Sequence, residues 1–308
     1  MSSLHRAAPS ARTRLLGVLG SPVRHSASPA MHNAALESLG LDWTYLAFEV
    51  HPDTLATTLR GARDLGVLGL NLTVPHKLLA VPLMDVLDDS AQTYGAVNTV
   101  IYESQTAAGE WMPVGQLPEI RGPVRMRGAN TDADALLRSL GEDLGIEPRS
   151  ARILLLGAGG AARAAALRLA DEGVGELWLV NRTTSKAEEL ASEIRLRNPA
   201  VEVHVGYPPD SVEIVLNATS LGMKAGDPLP WDPARFSLDR ADGVYDMVYR
   251  PAETVLLRTA REAGCRTANG LGMLLYQGAA ALELWTGRTV PIDVMRSALL
   301  SEVYGAPR

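Results

Sequence analysis

The first hundred residues alternate between two spacings of apolar positions. Short apolar runs typical of strands lie at 15–20, 44–49, 69–74 and 96–101, and helical spacing lies at 29–39 and 55–64. Strands that alternate with helices form parallel sheets, because each crossover between parallel neighbours needs a long connection. The sequence therefore predicts an α/β unit with a mainly parallel sheet and helices on its faces.

A second series of the same kind begins at Ile153, with strands predicted at 153–156, 177–180, 201–205, 214–216 and 244–248. Between the two series, residues 104–127 break the pattern with Gly, Pro and isolated apolar positions. This stretch predicts a long loop or a hairpin inserted at the domain edge. A helix resumes after Asp132, and a long apolar helix at 271–285 belongs to neither alternation, so it could pack back on the first domain.

Composition excludes several classes of protein. The 308 residues are 46% hydrophobic and 21% charged, which is typical of a globular chain of about two domains and excludes disordered and fibrous proteins. A formal charge of -6 gives no electrostatic argument for binding nucleic acid or an anionic membrane. The single cysteine, Cys265, excludes an internal disulfide and a Cys-x-x-Cys metal cluster. We expect no metal and a reducing cytoplasm.

The N-terminal region offers no convincing targeting signal. No apolar run reaches the roughly 18 residues of a membrane helix, and residues 15–19 are too few for a signal-peptide core. The arginines that precede Glu37, the first acidic residue, faintly resemble a transit peptide, but ordered-looking sequence already begins by Leu15. We predict that residues 1–13 form a flexible tail.

A glycine-rich turn joins the strand at 153–156 to an alanine-rich helix. Gly157, Gly159 and Ala162 have the G-x-G-x-x-A spacing in this strand–turn–helix context. The first glycine permits a tight turn, the second lets backbone amides approach a pyrophosphate, and the alanine permits close helix packing. The pattern predicts a dinucleotide site; the alternative is a purely structural glycine turn.

The next strand ends at Asn181-Arg182-Thr183, where NAD-binding folds usually place an acid for the ribose hydroxyls. No acid stands there. Arg182, with Lys186 one turn further along, offers cations for a 2′-phosphate, which favours NADP(H) over NAD. The alternative is two solvated surface cations.

Paired serines precede the first predicted helix. Ser26 and Ser28 are two residues apart, so in an extended segment both hydroxyls point to one side. Ser28 followed by Pro29 is an ordinary start for a helix, with the serine as its N-cap. A helix N-terminus with two hydroxyls also suits a carboxylate. Both interpretations stay open.

Polar side chains gather at the end of the third strand. Asn71 and Thr73 share one face of it, and Lys77 follows. The chain has 26 Arg and only three Lys, so a Lys at this place suggests chemistry, because Lys can release a proton and Arg cannot; a surface lysine is the alternative. Asn98 is a weaker candidate, because it also fits a turn. Asp132 fits a helix cap or a first-turn acid. The amide of Gln277 lies inside an apolar helix and needs hydrogen-bond partners, one of which a ligand hydroxyl could supply.

Taken together, these residues resemble the motif series of the shikimate dehydrogenase family. The similarity runs in order from Gly17 to about Trp285. Nine motifs carry it: 25–29 with 32–33, 71–77, 95–99, 130–132, 157–161, 181–183, 217–223, 245–249 and 270–277. Three departures are residues 104–127, which look like an insertion, Ala133 in place of a Gly, and Asn269 in place of an Asp.

The resemblance implies reversible reduction of 3-dehydroshikimate to shikimate by NADPH, in aromatic amino-acid (chorismate) biosynthesis. Lys77 and Asp132 would form the catalytic pair. Substrate contacts would come from Ser26, Ser28, Asn71, Thr73, Asn98, Asp132, Tyr249 and Gln277. Cofactor contacts would come from Gly157, Ala158, Gly159, Gly160, Ala161, Asn181, Arg182, Thr183, Lys186, Ala218, Thr219, Ser220, Met247 and Gly270.

The implied architecture has two domains with a cleft between them. Residues 14–131 and 270–308 would form the substrate-binding catalytic domain, and residues 132–269 an NADP-binding, doubly wound Rossmann-type domain. Alternatives are a quinate/shikimate dehydrogenase that uses NAD, against which Arg182 argues, and a non-catalytic NADPH-sensing regulator, against which Lys77 and Asp132 argue. A folate-type dehydrogenase would leave the paired serines unexplained. The expected partner is the small-molecule substrate, and the chain would be a monomer or homodimer.

Overall fold

The computed structural model describes residues 8–305. They form two compact units: residues 8–131 with 277–305, and residues 132–276. The predicted division placed residues 270–276 in the other domain, and that division stays a prediction. Most of the predicted tail, residues 1–7, lies outside the described residues, as do residues 306–308. Thr13, at the end of the predicted tail, donates a 2.8 Å hydrogen bond to Asp42.

The sheet of the first unit has seven strands in the order β2-β1-β3-β5-β7-β4, with β6 paired to β5. The strands are β1 (Arg14–Gly20), β2 (Trp43–Glu49), β3 (Gly69–Leu72), β4 (Val86–Leu87), β5 (Thr99–Gln105), β6 (Trp111–Pro113) and β7 (Val124–Ala129). Strand β5 runs antiparallel to β3, β6 and β7, and the other pairings are parallel. The sheet is therefore more mixed than the strand–helix alternation predicted. The helices are α1 (Ser28–Ser38), α2 (Leu55–Asp64), α3 (His76–Leu79) and α4 (Asp89–Tyr94).

Residues 104–127 hold regular structure where a loop or hairpin was predicted. The hairpin of β5 and β6 is present, but β7 lies between β5 and β4, inside the sheet and not at its edge. Alternating arginines hid β7 from the apolar pattern. Arg125 and Arg127 project toward β5, where Glu103, buried on that strand, accepts hydrogen bonds of 2.8 and 2.6 Å from them.

The second unit has six parallel strands in the order β10-β9-β8-β11-β12-β13. They are β8 (Arg152–Leu156), β9 (Glu176–Val180), β10 (Glu202–Val205), β11 (Val212–Asn217), β12 (Ala241–Asp246) and β13 (Arg266–Asn269). This is the doubly wound order of dinucleotide-binding folds, with its reversal between β8 and β11. The helices are α5 (Asp132–Ser139), α6 (Gly160–Glu172), α7 (Thr184–Arg197) and α8 (Val255–Glu262).

Strand β12 ends before the predicted limit at residue 248. The Asp246 carboxylate accepts a 3.0 Å hydrogen bond from the backbone N–H of Val248, which turns the chain out of the sheet. The carboxyl end of β12 is therefore a loop that carries Met247 and Tyr249. Both residues were predicted to contact a ligand.

Two helices complete the chain, α9 (Leu271–Thr286) and α10 (Ile292–Tyr304). From Gln277 onward they belong to the first unit. The fully buried indole of Trp285 donates a 3.1 Å hydrogen bond to the carbonyl of Val100. Gly69 makes this approach possible, because a Cβ at that position would overlap the indole ring. The end of α9 is thus fixed against β3 and β5.

Candidate functional site

The paired serines occupy the start of α1, although the segment is not extended there. Ala27 is the N-cap, in a helical conformation without a side-chain cap, and Ser28 is the first helical residue. The prediction of Ser28 as the cap and of an extended segment is therefore wrong. The Ser26 hydroxyl accepts the backbone N–H of Ser28 over 3.3 Å, which bends the chain into the helix. Ser28 itself is buried.

A series of buried hydrogen bonds leads from β2 through β3 to β5. The Tyr45 hydroxyl donates to the Oδ1 atom of Asn71 over 2.8 Å. Asn71 Nδ2 donates to the carbonyl of Asn98 and to the Thr99 hydroxyl, both over 3.2 Å. The structure thus joins Asn71 and Asn98, which sequence analysis had nominated separately.

A neutral histidine supports the same end of the unit. His32 Nδ1 donates a 2.8 Å hydrogen bond to the carbonyl of Ser28, and its ring stacks on Tyr45 with centroids 4.0 Å apart. Burial, only partly opposed by hydrogen bonds to backbone carbonyls, lowers the pKa of His32 to about 4. The imidazole is therefore uncharged near neutral pH and packs as part of the core.

The hydrogen-bond network continues from Asn98 to α9. Asn98 is buried; its Nδ2 donates to the Thr131 hydroxyl over 3.0 Å and lies 3.5 Å from Gln277 Oε1. Its Oδ1 accepts the Thr131 backbone N–H over 2.8 Å. Four nominated or neighbouring residues that lie on or beside β3, β5, β7 and α9 are thus brought together: Asn71, Asn98, Thr131 and Gln277.

Sequence analysis assigned no role in the site to three residues of this hydrogen-bond network. Tyr45 and Thr99 were counted as strand residues, and Thr131 only as part of a motif. The signal that could have found Tyr45 is weak, because a tyrosine in an apolar strand is usually a core residue. Its hydroxyl nevertheless needs a partner when the ring is buried, and that requirement points to a polar neighbour.

Four predicted residues lie outside the hydrogen bonds described so far. Lys77 is half-buried on α3, and Thr73 is half-buried just beyond the end of β3. Asp132 is half-buried and is the first residue of α5, directly after Thr131 in the chain. Tyr249 is in the second unit, and burial raises the pKa of its phenol.

The glycine turn of the second unit follows β8 as predicted. Gly157 has a φ of 117°, which favours glycine, and its N–H donates to Val180 over 2.7 Å. Gly159 caps α6 and Gly160 opens it, and a Cβ on either would meet no protein atom within 4 Å. Protein packing therefore requires glycine at 157 only. The open space beside Gly159 and Gly160, at a helix N-terminus, fits a dinucleotide pyrophosphate.

Two cations follow β9. The side chains of Arg182 and Lys186 are exposed, and neither pairs with an acid anywhere in residues 8–305. Other arginines of this unit are paired: Arg152 with Glu213, and Arg163 with Glu193. Asn181 donates a local hydrogen bond to the carbonyl of Thr183 over 2.8 Å. The two cations are thus available to an anion such as a 2′-phosphate.

A buried carboxylate organises the loops after β11 and β12. Asp246 accepts hydrogen bonds from Asn217 over 2.8 Å and from Thr254 over 2.6 Å. Asn217 Oδ1 accepts both the N–H and the hydroxyl of Thr219, over 3.0 and 2.8 Å. Burial raises the pKa of Asp246, and the hydrogen bonds oppose this. These contacts position Ala218, Thr219, Ser220 and Met247, which were predicted to contact the cofactor.

Gly270 meets the same loop. A Cβ on it would overlap the backbone carbonyl of Met247, so only glycine lets α9 begin here. Among residues 8–305, no group of three or more His, Cys, Asp or Glu side chains could hold a metal ion. No helix in that part of the chain has the length and apolar character needed to cross a membrane.

Three family models match successive parts of the chain. Residues 18–100 match the shikimate dehydrogenase substrate binding domain, 140–219 match shikimate / quinate 5-dehydrogenase, and 270–300 match the shikimate 5'-dehydrogenase C-terminal domain. The shikimate dehydrogenase (NADP(+)) of Moorella thermoacetica is 44% identical over 306 residues, which cover 96% of this chain and 95% of that protein. The chain belongs to the shikimate dehydrogenase family. The predicted family is confirmed.

Solved structures of related dehydrogenases share the fold. Shikimate 5-dehydrogenase from Thermus thermophilus, in complex with NADP(H) and shikimate, is 35% identical with a TM-score of 0.77, covering 94% of this chain and 99% of that one. Quinate dehydrogenase from Corynebacterium glutamicum, in complex with NAD, is 32% identical with a TM-score of 0.77 and the same coverage, 94% and 99%. The α/β, Rossmann-type fold class predicted for this member of the shikimate dehydrogenase family is confirmed.

Proposed function

We propose that the protein is an NADP-dependent shikimate dehydrogenase, which reversibly reduces 3-dehydroshikimate to shikimate. The observation that carries this is the match of family models along both units, together with 44% identity to a full-length NADP(+) enzyme. The reaction would supply shikimate for aromatic amino-acid (chorismate) biosynthesis.

The first unit would recognise the substrate. Ser26 and Ser28 would donate hydrogen bonds to the carboxylate, together with the N-terminal amides of α1. Asn71, Thr73, Asn98 and Gln277 would contact the ring hydroxyls, with Tyr249 near the carboxylate. Support comes from the buried hydrogen bonds that hold Asn71, Asn98 and Gln277 in one network. A buried network fixes its members in position and so limits the loss of entropy on binding.

Lys77 and Asp132 would do the acid–base work. As the carbonyl of 3-dehydroshikimate is reduced, negative charge develops on its oxygen. A positioned Lys77 ammonium would neutralise and protonate that oxygen, and the Asp132 carboxylate would hold the ammonium and a substrate hydroxyl. In the opposite direction the same pair would accept the proton of the shikimate hydroxyl.

The second unit would bind NADP(H), which supplies or accepts the hydride. The amides around Gly159 and Gly160 would hold the pyrophosphate, and Arg182 with Lys186 would hold the 2′-phosphate. Thr183, the Ala218–Ser220 loop, Met247 and Gly270 would line the remainder. The open space beside the two glycines and the unpaired state of Arg182 and Lys186 within residues 8–305 support this assignment.

The reaction is tested by the absorbance of the reduced nicotinamide. Purified protein should reduce NADP+ in the presence of shikimate, with much lower kcat/KM for NAD+ and for quinate. The quinate dehydrogenase neighbour with NAD makes quinate and NAD+ the necessary comparison. Higher kcat/KM with quinate and NAD+ would instead support the quinate enzyme, and no turnover with any pair would support a non-catalytic regulator.

Location and assembly belong to the same proposal. A reducing cytoplasm suits a chain whose one cysteine, Cys265, is a buried free thiol. We expect a monomer or homodimer, which light scattering of the purified protein would distinguish. Neither nucleic acid nor a membrane is an expected partner.

A further inference from the structure

A buried phenol contacts a proposed substrate residue. Tyr45, on β2, is fully buried, and its hydroxyl donates to Asn71 Oδ1 over 2.8 Å. The other fully buried tyrosine of the first unit with a hydroxyl contact, Tyr102, donates only to a backbone carbonyl, that of Leu59, over 2.8 Å. Tyr45 is thus placed to act on a functional side chain.

The hydrogen bonds of Asn71 define what it can offer a ligand. Its two Nδ2 protons are taken by the Asn98 carbonyl and the Thr99 hydroxyl. Its Oδ1 has two lone pairs, one of which accepts from Tyr45. The remaining capacity is one lone pair. Asn71 can therefore accept a hydrogen bond from a ligand hydroxyl but cannot donate one.

We propose that Tyr45 is a positioning residue for the substrate, which fixes Asn71 as an acceptor. This inference rests on the proposed function. It assigns to Tyr45 no contact with the substrate, because the residue acts through Asn71.

The proton of the phenol stays available for this contact. Burial raises the pKa of Tyr45 well above its usual value, so the phenol keeps its single proton. That proton is directed to Asn71 Oδ1, which leaves one lone pair of the amide oxygen for a ligand hydroxyl.

The first test removes one oxygen atom. Tyr45→Phe should raise KM for shikimate by roughly 5- to 30-fold, with KM for NADP+ within about twofold and kcat within a few-fold. Tyr102→Phe is the matched control, since it also loses one buried hydroxyl hydrogen bond in the same unit but leaves Ser28 and Asn71 untouched. An equal rise of the shikimate KM in both variants would overturn the inference.

The second test uses substrate analogues on the unaltered protein. Shikimate is compared with the two deoxy analogues that each lack one of the hydroxyls not oxidised in the reaction. The analogue without the hydroxyl accepted by Asn71 should bind the wild type more weakly than shikimate, by roughly threefold or more. In Tyr45→Phe this difference should shrink, because Asn71 is no longer fixed as an acceptor.

The outcomes separate the two levels of the proposal. Deoxy analogues that both bind the wild type as tightly as shikimate overturn the inference even if Tyr45→Phe does not fold. Wild-type protein that does not oxidise shikimate with NADP+ overturns the proposed function itself. An active wild type with an unaffected Tyr45→Phe overturns this inference alone.

Discussion

The Thr131 hydroxyl donates a 3.0 Å hydrogen bond to the backbone carbonyl of Gln277, across a sequence separation of 146 residues. Thr131 follows β7, and Gln277 is the first residue of α9 that belongs to the first unit. Through this contact the amide of Gln277 reaches Asn98, which also binds Thr131. Residues that are remote in the chain thus share one polar network.

Lys77→Ala should lower kcat by roughly 100-fold or more and leave the shikimate KM within a few-fold, because acid–base help acts mainly in the transition state. Lys77→Arg is the matched variant: it retains the positive charge but cannot release a proton at working pH, so its kcat should also stay low. Steady-state kinetics with NADP+ and shikimate measure both. A near-normal kcat in the alanine variant would remove Lys77 from the mechanism.

Arg182→Ala should raise KM for NADPH at least about tenfold and KM for NADH little, since only NADPH carries the 2′-phosphate that a guanidinium binds. Arg149→Ala serves as the control, because Arg149 is also an exposed arginine of the second unit but pairs with Glu172. Kinetics with each cofactor at saturating 3-dehydroshikimate provide the measurement. Equal losses for NADPH and NADH would show that Arg182 has another role.

Gly159→Ala should separate cofactor binding from folding. A Cβ there meets no protein atom within 4 Å, so the free energy of unfolding should fall by no more than about 1 kcal/mol, the cost of a poorer N-cap. The Kd for NADP+ should rise at least about tenfold, because the methyl group would occupy space needed by the pyrophosphate. Fluorescence titration and urea unfolding measure the two quantities.

The control for that variant is Gly61→Ala in α2, where a Cβ also meets nothing within 4 Å. Alanine is the better helix former, so this change should leave NADP+ binding intact and raise stability by up to about 1 kcal/mol. If Gly159→Ala binds NADP+ as tightly as Gly61→Ala does, the pyrophosphate does not lie against Gly159.

His32 should make stability depend on pH. Its pKa is 6.5 ordinarily and about 4 in the folded protein. Below pH 6.5 the unfolded chain binds a proton that the folded chain does not, so the free energy of unfolding should fall as pH drops from 6.5 to 4. The loss is about 3 kcal/mol when the full shift is counted.

Urea unfolding at several pH values measures this dependence, and His32→Gln should flatten it while lowering stability at pH 7, because the stacking on Tyr45 changes. His76 is also buried, and burial lowers its pKa, so His76→Gln should remove a further part of the slope. A slope that survives unchanged in His32→Gln would assign the titration to other groups.

The elements predicted best from sequence were those with strong apolar periodicity and clear boundary residues. The helix α2 was predicted with its observed limits, and β1, β2, β8 and β9 to within one residue at each end. Strand β4 has only two residues and β7 carries arginines, so neither gives an apolar signal; both depend on pairing partners that are distant in sequence. Such pairing is a property of the folded sheet and not of the local pattern.

For the site, the sequence indicated which polar residues are involved but not which of them hydrogen-bond to each other. Asn71, Asn98 and Gln277 could be nominated because polar groups at strand ends and in an apolar helix need partners. That Tyr45 hydrogen-bonds to Asn71 depends on the neighbouring order of β2, β1 and β3, which no local pattern contains. The roles of Lys77 and Asp132 stay predictions that the kinetics above will test.

The division of the first unit into two separated stretches has a consequence for biosynthesis. Residues 132–276 are contiguous and leave the ribosome complete, whereas the first unit waits for residues 277–305. Until then it lacks Trp285, Met295 and Leu299, all fully buried in the finished protein. The second unit can therefore finish folding on the ribosome first, while the nascent first unit still exposes apolar surface that residues 277–305 later cover.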